Sequence, residues 1–367
     1  MTRRELNLAI FEKQTDQVLW QPRLETWISH HAAEGTLPER YRDLDYWGIY
    51  DTLHCSIRYA ASAGVDGYEE PADVVRSAEQ QGDRYVETIT TPTGTVTRMY
   101  QDIWEGDKLR NRRIHGWPVQ TPEDLKVLID IVERTQYRAN LEAFGAAEER
   151  MGIRGEPTVF LNSSGFTDLI KTWTGLPGCY YLLVDAPDVV EAYLEACDRR
   201  DDRQIDAALQ LPCRIFNLGD HTTNEFTPPP ILRKYCLPRW QRISERLHAA
   251  NRFVHSHWDG NSRQILPYLK DSGLDSVESL TPEPQCDMTL EMIREHTGDM
   301  TLLDLIPAIF LLPSYSTEFI LDFTKRVMDM FGGRLILGIS DEISQVGQIE
   351  KVEAITELVD RTCGLAE

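Results

Sequence analysis

The sequence predicts an α/β fold, a TIM (β/α)8 barrel with an elaborated N-terminal region, on three observations. From about residue 155, short apolar runs alternate with helical stretches, at a spacing that calls for parallel strands joined by helical crossovers. None of those runs is followed by a Gly-rich phosphate loop, which argues against a doubly wound open sheet. A length of 367 residues suits one barrel with insertions.

The runs read as strands are Val18–Trp20, Thr158–Leu161, Arg214–Leu218, Arg252–His255, Ser276–Leu280, Met300–Ile306 and Arg334–Ile339. Each is short and rich in β-branched or large apolar residues. The helical stretches are Arg4–Glu12, Ala186–Ala208, Pro230–Asn251, Ser262–Ser272, Leu290–His296, Ser316–Phe331 and Gln348–Cys363. An eighth strand, needed for closure, is expected in the middle of the chain. Residues 1–367 are read as a single barrel, with about 40–120 as an insertion at its entrance. That insertion carries a β-hairpin, Arg84–Ile89 with Thr95–Tyr100, turned at Thr91-Pro92-Thr93-Gly94. Thr121-Pro122-Glu123-Asp124 opens a helix, with Thr as cap, Pro in the first turn and acids behind it.

Composition narrows the function. A net charge of -21 opposes binding to nucleic acid and to anionic membrane surfaces. The longest apolar run, Leu305–Leu312, is too short for a membrane span and contains Pro307. No apolar segment follows Arg3 and Arg4, so no secretory signal is expected. The seven cysteines form no C-x-x-C pair, and an odd, widely spaced set reads as reduced thiols in the cytoplasm.

In a barrel, chemistry sits just beyond the strand ends. Those positions supply Arg23 and Glu25, then Asn162, Ser163 and Ser164, then Asp220, His221 and Asn224. They continue with His255, His257 and Asp259, then Glu278, then Ser340, Asp341 and Glu342. Carboxylates with imidazoles either hold a divalent metal such as zinc or act as general acid and base. Plainer roles compete at each position. Asp259 before Gly260-Asn261-Ser262 also reads as a helix cap, and each tryptophan also reads as core.

The segment His257-Trp258-Asp259-Gly260-Asn261, continued by Ile265-Leu266, Gly273-Leu274-Asp275 and Glu278, resembles the uroporphyrinogen decarboxylase superfamily. Similar too are Gly219-Asp220, Pro228 through Pro238, Trp173-Thr174-Gly175-Leu176, Ala186-Pro187-Asp188, Gly332 through Leu337 and Trp20-Gln21-Pro22-Arg23. The superfamily includes cobalamin-dependent methyltransferases that act on methanol, methylamines and aryl methyl ethers. The decarboxylases' N-terminal arginine-rich segment is reduced here to Arg23, followed by Glu25, and their Phe-Ser-Asp segment has no clear copy. The methyltransferase branch is therefore the nearer one.

That resemblance implies a metal site, expected to be zinc, at His257, Asp259, Glu278 and Asp341, with carboxylates where coenzyme M methylating relatives have thiolates. It implies transfer of a methyl group from an O- or N-methyl substrate to a corrinoid carried by a partner protein. The chain itself lacks an Asp-x-His-x-x-Gly cobalamin motif. His221 or Glu342 would protonate the leaving group, and Arg23 would orient an anionic part of the substrate. Asn162 and Asn224, with Trp20 and Trp27 as an aromatic wall, would contact it; Trp47 and Trp173 are further wall candidates. A homodimer is a superfamily trait. Two other readings stand beside this one. One is a metal-free decarboxylating lyase on a smaller carboxylated substrate, with Asp220, Asp259 or Asp341 as proton donor. The other is a barrel that binds a ligand without catalysis.

Overall fold

The alternating runs fold as a parallel sheet in the computed structural model, which describes residues 1–59, 64–70, 72–105 and 108–363. Residues 60–63, 71, 106 and 107 of the expected entrance region lie outside the described residues. In chain order the strands are β1 (Leu19–Trp20), β2 (Val65–Tyr68), β3 (Val75–Gln81), β4 (Arg84–Thr91), β5 (Gly94–Glu105), β6 (Lys108–Gly116) and β7 (Gln136–Ala139). They continue as β8 (Thr158–Leu161), β9 (Ile215–His221), β10 (Phe253–His257), β11 (Ser276–Glu278), β12 (Thr301–Pro307) and β13 (Leu335–Ser340). Two compact units contain them: Met1–Gly64 with Leu141–Phe160 and Pro212–Glu367, and Val65–Asn140 with Leu161–Leu211.

The first unit is organised by a seven-stranded sheet in the order β1-β13-β12-β11-β10-β9-β8. Its recorded neighbour pairs are parallel. Strand alternation gives it an inner face bearing Asn217, His255, His257 and Glu278, and an outer face bearing Val254, Trp258 and Asp220. Leu19 of β1 and Ile215 of β9 stand far apart in the strand order. Both join one core cluster with Leu303, Ile336 and the apolar side of the helix Arg3–Phe11, so the sheet curls around that helix. Burial of these side chains contributes about 1.5–3 kcal/mol each. A capping box of Thr2 and Glu5 starts the helix.

Among the described residues β1 and β8 do not pair, so barrel closure is not seen. The stretch Cys55–Arg58 lies against β1, where Ser56 N–H donates to Trp20 O at 2.8 Å and Gln21 Nε2 to Ser56 Oγ at 2.9 Å. Ile57 N–H donates to Arg154 O, just before β8, at 3.0 Å.

Local chemistry adjusts several expected boundaries. The helix read at Ser262–Ser272 is only a 3-10 turn, Leu266–Asp271. Its would-be first turn is held elsewhere: Ser262 N–H and Arg263 N–H donate to Asp287, and Gln264 N–H donates to Asn224. The stretch Pro230–Asn251 is interrupted by a π-helical turn, Leu232–Cys236, ahead of Pro238. The strand read at Ser276–Leu280 ends at Glu278 because Ser279 adopts φ 64°.

The second unit holds an antiparallel sheet of four strands, β3-β4-β5-β6, whose central pair is the hairpin at the Thr91–Gly94 turn. The helix Pro122–Arg134 starts on a capping box of Thr121 and Asp124. Arg203 of the helix Pro187–Ala208 donates to Val132 O at 2.8 Å and Thr135 O at 3.0 Å, satisfying carbonyls at the C-terminal end of Pro122–Arg134. None of the described helices is long and apolar enough to cross a membrane.

Candidate metal centre

Glu278 ends β11 on the inner face and is 2% exposed. A buried carboxylate requires partners, and this one has four. Oε1 accepts from His257 Nδ1 and from Asn217 Nδ2, each at 3.0 Å. Oε2 accepts from Arg58 Nη1 at 2.9 Å and from the Tyr59 hydroxyl. Burial alone would raise the Glu278 carboxyl. The hydrogen bond from His257 and the Arg58 charge prevail and hold it well below the usual carboxylate range.

Arg58 binds a second buried acid. Its Nη2 donates to Asp304 Oδ1 at 2.7 Å and its Nη1 to Asp304 Oδ2 at 3.1 Å, while its Nε donates to Gln21 Oε1 at 2.8 Å. Asp304 also accepts from Ser279 N–H and Ser279 Oγ, both at 3.2 Å. Gly338 makes room for it: a Cβ there would stand 2.4 Å from Asp304 Oδ1 and 2.8 Å from Gln21 O.

His257 is fixed from behind. A carboxylate only accepts, so Nδ1 carries the proton toward Glu278 and Nε2 presents its lone pair on the other side. Burial lowers the His257 pKa, and the Glu278 bond with the nearby Asp341 and Asp259 charges raises it above the usual value. The rings of His221 and His257 stack at 5.4 Å, 25° from parallel. One ligand atom from each of His221, His257 and Asp259 lies within 4.8 Å of the others. Two imidazoles and a carboxylate are an ordinary donor set for zinc.

The structure therefore groups the expected residues differently. His221, expected as a proton donor, joins His257 and Asp259. Glu278, expected as a ligand, has both oxygens engaged by protein donors and supports His257 instead. Asp341, also expected as a ligand, pairs with Arg23. Arg23 also faces Glu25 at 3.9 Å and Glu342 at 3.8 Å, and it lies over the Tyr59 ring at 5.4 Å. Glu342 accepts from Thr26 N–H at 3.2 Å. With three carboxylates around it, Arg23 is already neutralised as a receptor for an anion.

Other expected residues stand apart from this cluster. Asp220 points outward by strand alternation and is 2% exposed. It accepts from Trp240 Nε1 at 2.7 Å and Arg239 Nη1 at 3.2 Å, both on the helix Leu237–Ala249. That is a structural pair, away from the inner face. Trp20 and Trp27 are each 3% exposed, and their Nε1 atoms donate to Thr356 Oγ1 and Gly347 O. Both are core rather than wall. Asp259 caps no helix; it accepts from Gly260 N–H at 2.6 Å. Asn224 braces the rim through Asp287 at 3.3 Å. Asn162 belongs to the second unit, where its Nδ2 donates to the Tyr137 hydroxyl at 2.9 Å.

A family model described as uroporphyrinogen decarboxylase (URO-D) matches residues 163–362, more than half of the chain. The chain belongs to the URO-D family. A search of curated proteins finds no match. Among solved structures, a methyltransferase from Methanosarcina mazei is similar over 99% of both chains, at 14% identity and a TM-score of 0.60, which establishes a shared fold. A B12-independent methionine synthase from a Shewanella species, in complex with selenomethionine, aligns over 95% of this chain and 98% of its own, at 11% identity and a TM-score of 0.38.

In this URO-D family member, sequence reasoning missed Arg58, Tyr59, Asn217 and Asp304. Asp304 did leave a signal, as a lone acid inside the apolar run Leu302–Ile306. Asn217 sits likewise inside Ile215–Leu218. Arg58 and Tyr59 lie where no strand pattern was readable, and only the fold brings them under Glu278.

Proposed function

We propose that this chain is a metal-assisted methyltransferase of the URO-D family, moving a methyl group from an O- or N-methyl substrate to a corrinoid carried by a partner protein. The observation that carries the reading is the convergence of His221, His257 and Asp259, with ligand atoms within 4.8 Å of one another. The Glu278–His257 hydrogen bond behind them fits as well, because metal-bound histidines are commonly oriented by a carboxylate on the other ring nitrogen. In the same reading the sheet is a (β/α)8 barrel with Cys55–Arg58 in the eighth strand position.

His221, His257 and Asp259 would hold the metal, expected to be zinc. Such an ion supplies Lewis acidity toward the heteroatom that bears the methyl group. The chain's own groups do the positioning. Glu278 keeps the His257 proton on Nδ1, and Arg58 and Tyr59 keep Glu278 ionised and fixed. Asp341, Glu25 and Glu342 neutralise Arg23, so the rim favours a neutral or cationic substrate over a polycarboxylate. Glu342 faces Arg23, so its part lies in that charge balance rather than as the acid for the leaving group. The decarboxylase reading gains nothing from Arg23, whose charge is already matched.

Elemental mass spectrometry of the purified protein tests this. About one zinc per chain is expected, with His257→Ala and His221→Ala each losing it. The loaded protein should then demethylate a methyl ether or methylamine when a corrinoid protein is supplied. A chain that neither contains nor takes up metal would return the site to acid–base lyase chemistry.

A further inference from the structure

One layer beneath Glu278, a polar row crosses the sheet. Asn217 of β9 is in register with His255 of β10, His255 with Ser276 of β11, and Ser276 with Thr301 of β12. All four residues are 0% exposed. Register partners in a parallel sheet point to the same face, so the four side chains lie side by side. At one end, Asn217 Nδ2 donates to Glu278. At the other, Thr301 Oγ1 accepts from Lys13 Nζ at 2.6 Å.

Between those ends the hydrogen bonding is incomplete. Asn217 Oδ1, both ring nitrogens of His255 and Ser276 Oγ have no hydrogen-bond partner among the described residues. His255 Nδ1 stands 3.8 Å from Glu278 Oε2, which is beyond hydrogen-bond reach. A buried polar atom left without a partner is destabilising. Four in one row, on three adjacent strands, mark a site for a ligand that both donates and accepts.

The surroundings select its chemistry. Ionised Glu278 repels an anion, and Arg58 at the same carboxylate opposes a cation. Complete burial excludes anything large. We propose that Asn217, His255 and Ser276 form a built internal water site that completes the support of Glu278. Water offers two donors and two acceptors, matching a carbonyl oxygen, a neutral imidazole and a hydroxyl. Water held on Asn217 Oδ1 also fixes which way the amide faces. A flipped amide would turn its oxygen toward the Glu278 carboxylate and lose the 3.0 Å bond. Asn217 thus supports Glu278 directly, and His255 and Ser276 support it only through the water.

A crystal structure of the wild-type protein at about 1.6 Å, a resolution that resolves ordered water, tests the proposal directly. Round density is expected at hydrogen-bond distance, about 2.7–3.2 Å, from at least two of Asn217 Oδ1, a His255 ring nitrogen and Ser276 Oγ. A dry layer, with the three side chains bonded directly to one another or to Glu278, overturns it. Thermal unfolding of Ser276→Ala and Ser276→Val gives a second reading that needs no crystals. Ser276→Ala leaves space for water and should lower Tm by a few degrees at most, whereas Ser276→Val fills that space and should lower it clearly further. Equal shifts, or a smaller shift for Ser276→Val, count against a water site.

Discussion

Two buried arginine–carboxylate groups in the first unit look alike until their connections are followed. Arg58 with Glu278 and Asp304, and Arg239 with Asp220, are each no more than 4% exposed, and each arginine binds its acids at 2.7–3.2 Å. The Asp220 pair faces outward and ends on the helix Leu237–Ala249. The Glu278 group faces inward and leads through His257 Nδ1 to the convergence with His221 and Asp259. Burial and charge alone do not mark a functional acid; the face it reaches does, by strand alternation for Glu278 and through the φ of 83° at Asp304 for its neighbour. Asp220 and His221 are adjacent in sequence, yet one serves the helix layer and the other the candidate metal centre.

Four substitutions sharpen or break that contrast. Arg58→Met should have the largest effect, because it strands two buried carboxylates. A loss of about 3–5 kcal/mol in denaturant unfolding is expected, together with weakened metal retention. A stable, metal-loaded Arg58→Met would remove the Glu278 group from any supporting role. Asp220→Asn should also destabilise, by about 3 kcal/mol, since Arg239 and Trp240 then lose a buried charged acceptor. Metal content in the folded fraction should not change, and metal loss there would show that the two groups are not separate. Glu278→Gln keeps the shape and loses the charge. It should weaken metal affinity about 10–100-fold in a competitive chelator titration, and a metal stoichiometry lost at any concentration would make Glu278 a ligand after all. Trp20→Phe should cost least, about 1 kcal/mol for the lost bond to Thr356, with unaltered turnover; a raised KM would restore Trp20 to the substrate wall.

The legible part of the fold was its repeating part. The strands after residue 155 announced themselves because buried parallel strands are continuous apolar runs between helices. Cys55–Arg58 is hard to read because it is only four residues long and its polar side chains, Ser56 and Arg58, face buried partners, so its short alternation suggests a solvent-facing segment rather than a buried strand. At the candidate site, the motif points to His257 and Asp259. The position of His221 after a strand is legible in the sequence, but its pairing with His257 is not, since a stacked pair of histidines from β9 and β10 exists only once the strands are in register.

The sequence by itself determined which residue types crowd the strand ends, the parallel alternation and the acidic surface, because these follow from composition and periodicity. Only the tertiary structure decided which carboxylates face inward, which are claimed by arginines and which remain near the imidazoles. Those choices depend on register, on the φ of 64° at Ser279 and on the side chain missing at Gly338. A one-residue change in strand phase would put Asp220 in place of His221 on the inner face.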